Sequence, residues 1–237
     1  MPAVFVHGVP DTHRVWTALA SRLTRKDVVT LSLPGFGCPA PEGFGATEDA
    51  YVDWLLGELA RQPVPIDLVG HDWGALLVTR AVSLRPEAVR SWAVGGAPLD
   101  PDYEWHPAAR AFQTPGMGER VMDSMTPAAL QQALVAAGVP DADAAETARH
   151  VDPTMKRCIL ALYRSAVHVG TEWTEDLRRV TAPGVVLWGE RDPYAPPHFG
   201  ARLAERTGAR FVSLPGCSHW WQVERPEAVA DELRRFW

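Results

Sequence analysis

Short apolar runs alternate with amphipathic ones along most of the chain. Ala3–Val6, Val28–Leu33, 66–70, 90–95, Gly184–Trp188 and Arg210–Leu214 read as strands. Between them apolar residues recur at helical spacing. Trp16, Leu19, Ala20 and Leu23 do so after the first strand, and Val52, Leu55, Leu56 and Leu59 behind a capping Thr47 after the second. Another helix runs to Arg85-Pro86, and each of the last two strands is followed by one. This alternation predicts a parallel sheet covered on both faces. After Pro98 the strands stop. To about Gly170 the pattern is helical and punctuated by proline: Thr126-Pro127 opens one helix that Gly138 closes, and Asp152-Pro153 opens another. A helical block inside an α/β pattern reads as a lid over a site. The chain thus divides into a first part of the core (1–97), a helical lid (98–170) and a second part of the core (171–237).

Composition narrows the function classes. With 237 residues, 46% of them hydrophobic, the chain can build one substantial core. The net charge of −6, with no basic cluster longer than Arg25-Lys26 or Arg178-Arg179, argues against nucleic acid and anionic membranes as partners. Cys38, Cys158 and Cys217 are odd in number and far apart, which gives neither a disulfide framework nor a metal-binding spacing. No apolar run approaches the ~18 residues of a membrane span. Met1 leads straight into a strand without a secretory leader, so a soluble, cytoplasmic protein is expected.

Chemistry concentrates at Gly70-His71-Asp72-Trp73-Gly74. Glycines two before and two after a central residue are what a sharp strand-to-helix turn needs to thrust that residue out of the backbone. The central residue is Asp72, where serine hydrolases keep their nucleophile. An attacking group there needs an acid, a base and an oxyanion hole at the carboxyl ends of strands. Asp192, just past a strand in Gly189-Glu190-Arg191-Asp192-Pro193, is the candidate acid, with Glu190 a weaker rival. His219, in the loop beyond the last strand, is the candidate base, and the order nucleophile, acid, histidine is that of α/β-hydrolases. The amides of Trp73 and of Val9, in His7-Gly8-Val9-Pro10, would form the hole. A carboxylate is poorly suited to acyl transfer but displaces leaving groups from saturated carbon. The resulting ester of Asp72 could be hydrolysed by water that His219 activates. The expected reaction is hydrolysis of epoxides or alkyl halides rather than esters, with no metal or cofactor.

These motifs carry a resemblance. The whole chain resembles an α/β-hydrolase of the epoxide hydrolase and haloalkane dehalogenase branch, through Gly70-His71-Asp72-Trp73-Gly74-Ala75 and His7-Gly8-Val9-Pro10. Ala75, and His219-Trp220-Trp221-Gln222 with Glu224 and Pro226, are more similar to epoxide hydrolases. So is Leu162-Tyr163-Arg164, which resembles the segment that carries a ring-opening tyrosine and implies that Tyr163 protonates the epoxide oxygen. Epoxide hydrolases usually use two lid tyrosines, and Ala108 stands where the first would fall, with Tyr103, Trp105 and His106 nearby as candidate substrate contacts. The chain also begins about where the family's third strand would. That implies a shortened sheet whose edge a second copy, in a homodimer, could cover.

Each residue has a plainer reading. Asp72 could be a turn residue capping the next helix, His219 a surface histidine, Asp192 a turn former before Pro193, and Tyr163 a core residue in register with Met155 and Ile159. In a haloalkane dehalogenase, the runner-up, the Trp73 indole would hold the halide. That reading needs a second donor. Val9 is apolar where many dehalogenases place Asn, leaving Trp105 to serve. His7 and His71 read as structural, Asp11 as the cap of the helix from Thr12, and Cys217 as a small buried residue. A ligand-binding α/β-hydrolase without turnover is the rival from another class.

Overall fold

A computed structural model describes residues 1–237. Six strands, β1 (Ala3–Val6), β2 (Val28–Leu31), β3 (Ile66–His71), β4 (Val89–Gly95), β5 (Gly184–Gly189) and β6 (Arg210–Leu214), form one sheet in the order β2-β1-β3-β4-β5-β6. Every neighbouring pair is parallel. β1, β3 and β5 are buried from end to end and β4 at every residue but Arg90, as strands covered on both faces must be. Helices α1 (Thr17–Ala20), α2 (Glu48–Leu59) and α3 (Trp73–Leu84) fall within the first part of the chain. Next come α4 (Pro107–Gln113), α5 (Met117–Ser124), α6 (Pro127–Ala136), α7 (Asp141–Ala148), α8 (Pro153–Ser165) and α9 (Val169–Glu172), between β4 and β5. The last three, α10 (Pro197–Thr207), α11 (Trp221–Glu224) and α12 (Pro226–Phe236), alternate with or follow β6. No helix is long and apolar enough to cross a membrane.

The inserted helices start where the sequence marks them. Thr126 and Asp152 accept hydrogen bonds from the amides of Ala129 (3.2 Å) and Met155 (2.7 Å), each with proline in the first turn. The segment ahead of α4 is not helical. It is tied to the core through buried Asp100, which pairs with Arg202 (3.0 Å) and Arg206 (2.8 Å) of α10.

Two local expectations are corrected. The apolar run after β1 is a 3-10 turn, His13–Trp16, followed by the single turn of α1, and its cap is Thr12 rather than Asp11. Asp11 turns inward instead, for reasons given below. β2 stops at Leu31, because the Leu33 amide leaves the ladder and donates to His7 Nε2 at 3.0 Å.

The strand order sets the place of the site. From β1 the chain moves to one side to form β2, then crosses back to form β3 on the other side. This opens a crevice beyond the carboxyl ends of β1 and β3. The opposite end of the sheet carries a structural anchor, Asp67 on β3. It has no exposed side-chain surface and accepts from Ser91 Oγ (2.6 Å), Arg25 Nη1 (2.7 Å) and Arg90. Burial works against its charge, but Arg90, Ser91 and Arg25 outweigh it and hold the carboxyl below its ordinary range. Its contribution is therefore complete above the unfolded-state pKa of about 3.9 and lost as pH falls through the lower folded value. Asp67→Ala is expected to cost about 3 kcal/mol in urea denaturation near neutral pH, since it strands two arginines.

Candidate active site

Asp72 sits at the turn between β3 and α3 with φ +52° and ψ −127°, a conformation that L residues rarely adopt. Its neighbours make the turn possible. A Cβ on Gly70 would collide with the Gly74 carbonyl, and one on Gly74 with the Val6 carbonyl. The Asp72 amide donates to the Gly95 carbonyl on β4 at 3.0 Å, so the strained residue stays fixed to the sheet. The plainer reading of Asp72 fails, because its side chain makes no capping hydrogen bond to α3.

The carboxylate instead faces the crevice. Oδ1 accepts from the Val9 amide at 2.7 Å. Oδ2 lies 3.7 Å from Nε2 of His219, an ion-pair contact rather than a hydrogen bond. Burial alone would raise the Asp72 pKa. His219 and the surrounding donors outweigh it and bring it below the ordinary value, so the group is a carboxylate at neutral pH.

His219 donates Nδ1–H to Asp192 Oδ2 at 2.8 Å, which leaves Nε2 toward Asp72. Asp192 Oδ1 accepts from the amides of Tyr194 and Ala195, both at 2.9 Å. The Trp188 indole braces the same loop through the Ala195 carbonyl at 2.6 Å. Asp192 and His219 are both buried. Burial pushes the imidazole pKa down, but Asp192 and Asp72, one at each nitrogen, outweigh it and hold the ring above its usual value. Glu190 is no rival for the acid: its Oε2 accepts from the Gly216 amide at 2.8 Å, in an exposed turn.

A second buried polar layer lies behind the histidine. His71 donates Nε2–H to the His219 carbonyl (2.9 Å) and accepts at Nδ1 from Gln222 (3.0 Å), while burial lowers its pKa to about 3 and keeps it neutral. Asp11 accepts from the Trp220 indole at 3.0 Å and from Thr147 of α7 at 3.4 Å, linking the lid to the histidine loop. Burial raises its pKa to about 7. An acid raised in the folded state favours folding at low pH and costs stability as pH climbs past its unfolded value. Asp11→Asn is therefore expected to melt higher than wild type at about pH 8, with the gap closing toward about pH 5. An equal loss of melting temperature at both would contradict this. Sequence reading missed this layer; Asp11 directly after His7-Gly8-Val9-Pro10 was the available signal.

Above Asp72 lies a cavity of about 270 Å³, lined largely by Phe112, Val121, Met125, Leu130, Leu134 and Ile159 of the lid. Tyr163 of α8 opens onto it. The Tyr163 ring packs edge-on against Trp73 (5.4 Å), Trp105 (5.6 Å) and Phe112 (5.2 Å), so it is both a core residue and a wall of the cavity. Burial first, and the Asp72 charge after it, push its phenol well above the ordinary value. His106 and Ala108 also line the cavity, His106 while capping α4 through the Ala109 amide at 3.3 Å.

Trp105 and Tyr103 both border the space above Asp72, but their polar ends are committed elsewhere. The Trp105 indole cannot serve as a halide donor, because it donates to the Val167 carbonyl at 3.2 Å; its ring stacks on Trp73 at 5.9 Å. Tyr103 borders the space above Asp72, but its hydroxyl is committed to the Tyr194 carbonyl at 2.9 Å. Tyr194, in the loop after β5, was not singled out from the sequence, yet it lines the cavity and lies against the His219 ring at 5.1 Å. No three His, Cys, Asp or Glu side chains converge where they could hold a metal ion.

A parallel sheet, a strained residue at the strand–helix turn and an Asp–His pair carried beyond the ends of the last two strands define the class, and residues 3–232 match the model of the alpha/beta hydrolase family. The chain belongs to that family. Over 95 residues it is 28% identical to the (E)-2-((N-methylformamido)methylene)succinate hydrolase of Acinetobacter baylyi, a match covering 39% of this chain and only 36% of that protein. It is 24% identical to epoxide hydrolase 3 of Xenopus tropicalis, over 98% of this chain and 70% of the relative. A haloalkane dehalogenase structure from Bradyrhizobium elkani superposes with a TM-score of 0.79 at 23% identity, covering 99% of this chain and 89% of that one.

Proposed function

We propose that the protein hydrolyses small, neutral, apolar epoxides to vicinal diols through an ester of Asp72. The observation that carries this reading is the Asp72 carboxylate itself. One oxygen is held by the Val9 amide and the other faces His219, beneath an apolar cavity into which Tyr163 opens. Oδ2 attacks a ring carbon, the carbon–oxygen bond breaks, and the alkoxide takes the Tyr163 proton. His219 then removes a proton from water, whose oxygen adds to Cγ, while the Val9 and Trp73 amides hold the charge that develops on Oδ1. Collapse expels the diol oxygen, which takes the proton from His219. The acid left on Asp72 returns its proton, through solvent, to the Tyr163 phenolate.

Dehalogenation would use the same carboxylate, but the halide would find few donors. The Trp105 indole is committed to Val167 and the Val9 side chain is apolar. The test is a panel of neutral epoxides and haloalkanes assayed for diol and for free halide. Diol without halide release is the expected result. Halide release with inert epoxides would assign the site to dehalogenation, and silence toward both panels would favour a binding protein.

A further inference from the structure

The chain has four tyrosines, and their hydroxyls divide cleanly. Tyr51 donates to the Pro34 carbonyl at 2.7 Å, and Tyr103 to the Tyr194 carbonyl at 2.9 Å. Neither Tyr163 nor Tyr194 donates its proton to a protein group, and these are the two that line the cavity with Asp72 and His219. Tyr163 is buried and Tyr194 partly so, and a hydroxyl that borders a cavity without a protein acceptor keeps its proton for whatever enters. Two uncommitted ones at a single cavity point to a shared acceptor that arrives with substrate.

We infer that Tyr194 is a catalytic residue that donates to the epoxide oxygen from the core side while Tyr163 donates from the lid. The assignment rests on the epoxide reading above.

Three features set Tyr194 apart from a packing residue. Its ring is held edge-on by His219 (5.1 Å), Trp220 (5.8 Å) and His106 (5.1 Å), so its orientation is fixed although its hydroxyl is free. Its amide donates to Asp192 Oδ1 at 2.9 Å and its carbonyl accepts from Tyr103, which ties both ends of its backbone. The same short turn thereby orients the histidine, through Asp192, and presents a proton donor to the leaving oxygen. Finally, the lid's first helix carries no tyrosine, and Ala108 there presents only a methyl to the cavity.

The chemistry explains why one donor is not enough. Tyr163 is buried beside Asp72, and both burial and that charge oppose its phenolate. The ring opens without a free alkoxide when a second O–H shares the developing charge. In the balanced step, Asp72 forms the carbon–oxygen ester bond and the epoxide carbon–oxygen bond breaks. One tyrosine gives up its proton while the other keeps its own and donates a hydrogen bond.

The test measures ring opening alone, in a His219→Asn background where the ester persists. The parent variant and its Tyr194→Phe and Tyr163→Phe derivatives are each mixed with styrene oxide, and the rate of mass gain is followed by intact mass spectrometry. Each Phe substitution is expected to slow alkylation roughly 10²-fold, and the pair together more than either. Removing a hydroxyl without a protein partner should leave the melting temperature of Tyr194→Phe near that of its parent, so slow alkylation will not reflect unfolding. Alkylation at the parental rate in Tyr194→Phe overturns the assignment and leaves the epoxide reading standing. No adduct in the parent, with styrene oxide or with the wider epoxide panel, overturns the epoxide reading and this assignment together.

Discussion

Asp72→Ala is expected to lose on the order of 10⁶-fold in kcat, leaving only what binding and the amide hole provide. The loss should fall on kcat and not on folding. Asp72 makes no cap for α3, and its side-chain partners are the Val9 amide and His219. Removing a charge from a buried site relieves desolvation at the same time as it frees those donors. The positive φ costs Ala about as much as it costs Asp, roughly 1 kcal/mol or more. A melting curve close to wild type together with absent diol formation is the predicted pair of results. Residual turnover within about tenfold of wild type would mean that the carboxylate orients water rather than attacking carbon.

His219→Asn should separate the two half-reactions. In the resting site the imidazole is held above its ordinary pKa by Asp192 and Asp72, so it faces the nucleophile as a cation. Esterification of Asp72 removes one of those two negative charges. The pKa then falls, Nε2 gives its proton to solvent and becomes a base when water needs one, and the ring takes a proton back from solvent once the Asp72 carboxylate is restored. Asn cannot take that proton, so hydrolysis is expected to slow roughly 10³-fold or more while ring opening continues. The variant should accumulate protein heavier by the whole epoxide, on the peptide that contains Asp72. Because His219 is the main group that holds the Asp72 pKa down against burial, adduct formation in this variant should fail at a higher pH than ring opening does in the parent protein. Diol release at the wild-type rate would exclude His219 as the base.

The sequence carried the parts of the site that depend on local chain chemistry. The turn at Asp72 was legible because its glycines answer a steric requirement within five residues, and Asp192 and His219 because each follows a strand end. The fold followed from strand–helix alternation, in which each element's pattern reflects the faces it buries. What stayed hidden depends on partners far away in the chain. Trp105 looked free until folding brought the Val167 carbonyl, 62 residues on, to its indole. Asp11 looked like a helix cap because its real partners, Thr147 and Trp220, lie 136 and 209 residues away. Tyr194 has no pattern of its own, and its importance appears only once its loop folds against His219 and under the lid.

Oxygen transfer in a single turnover decides whether Asp72 attacks carbon. Wild-type enzyme in excess over an epoxide substrate would be mixed in heavy-oxygen water, quenched after one turnover and digested. An Asp72 ester hydrolysed at Cγ leaves the water's oxygen in the enzyme and gives the diol an oxygen from the carboxylate. The expected result is one heavy oxygen in the peptide containing Asp72 and none in the first diol released. Heavy oxygen in that first diol, with the peptide unlabelled, would show that water attacks the epoxide directly and would contradict the covalent mechanism.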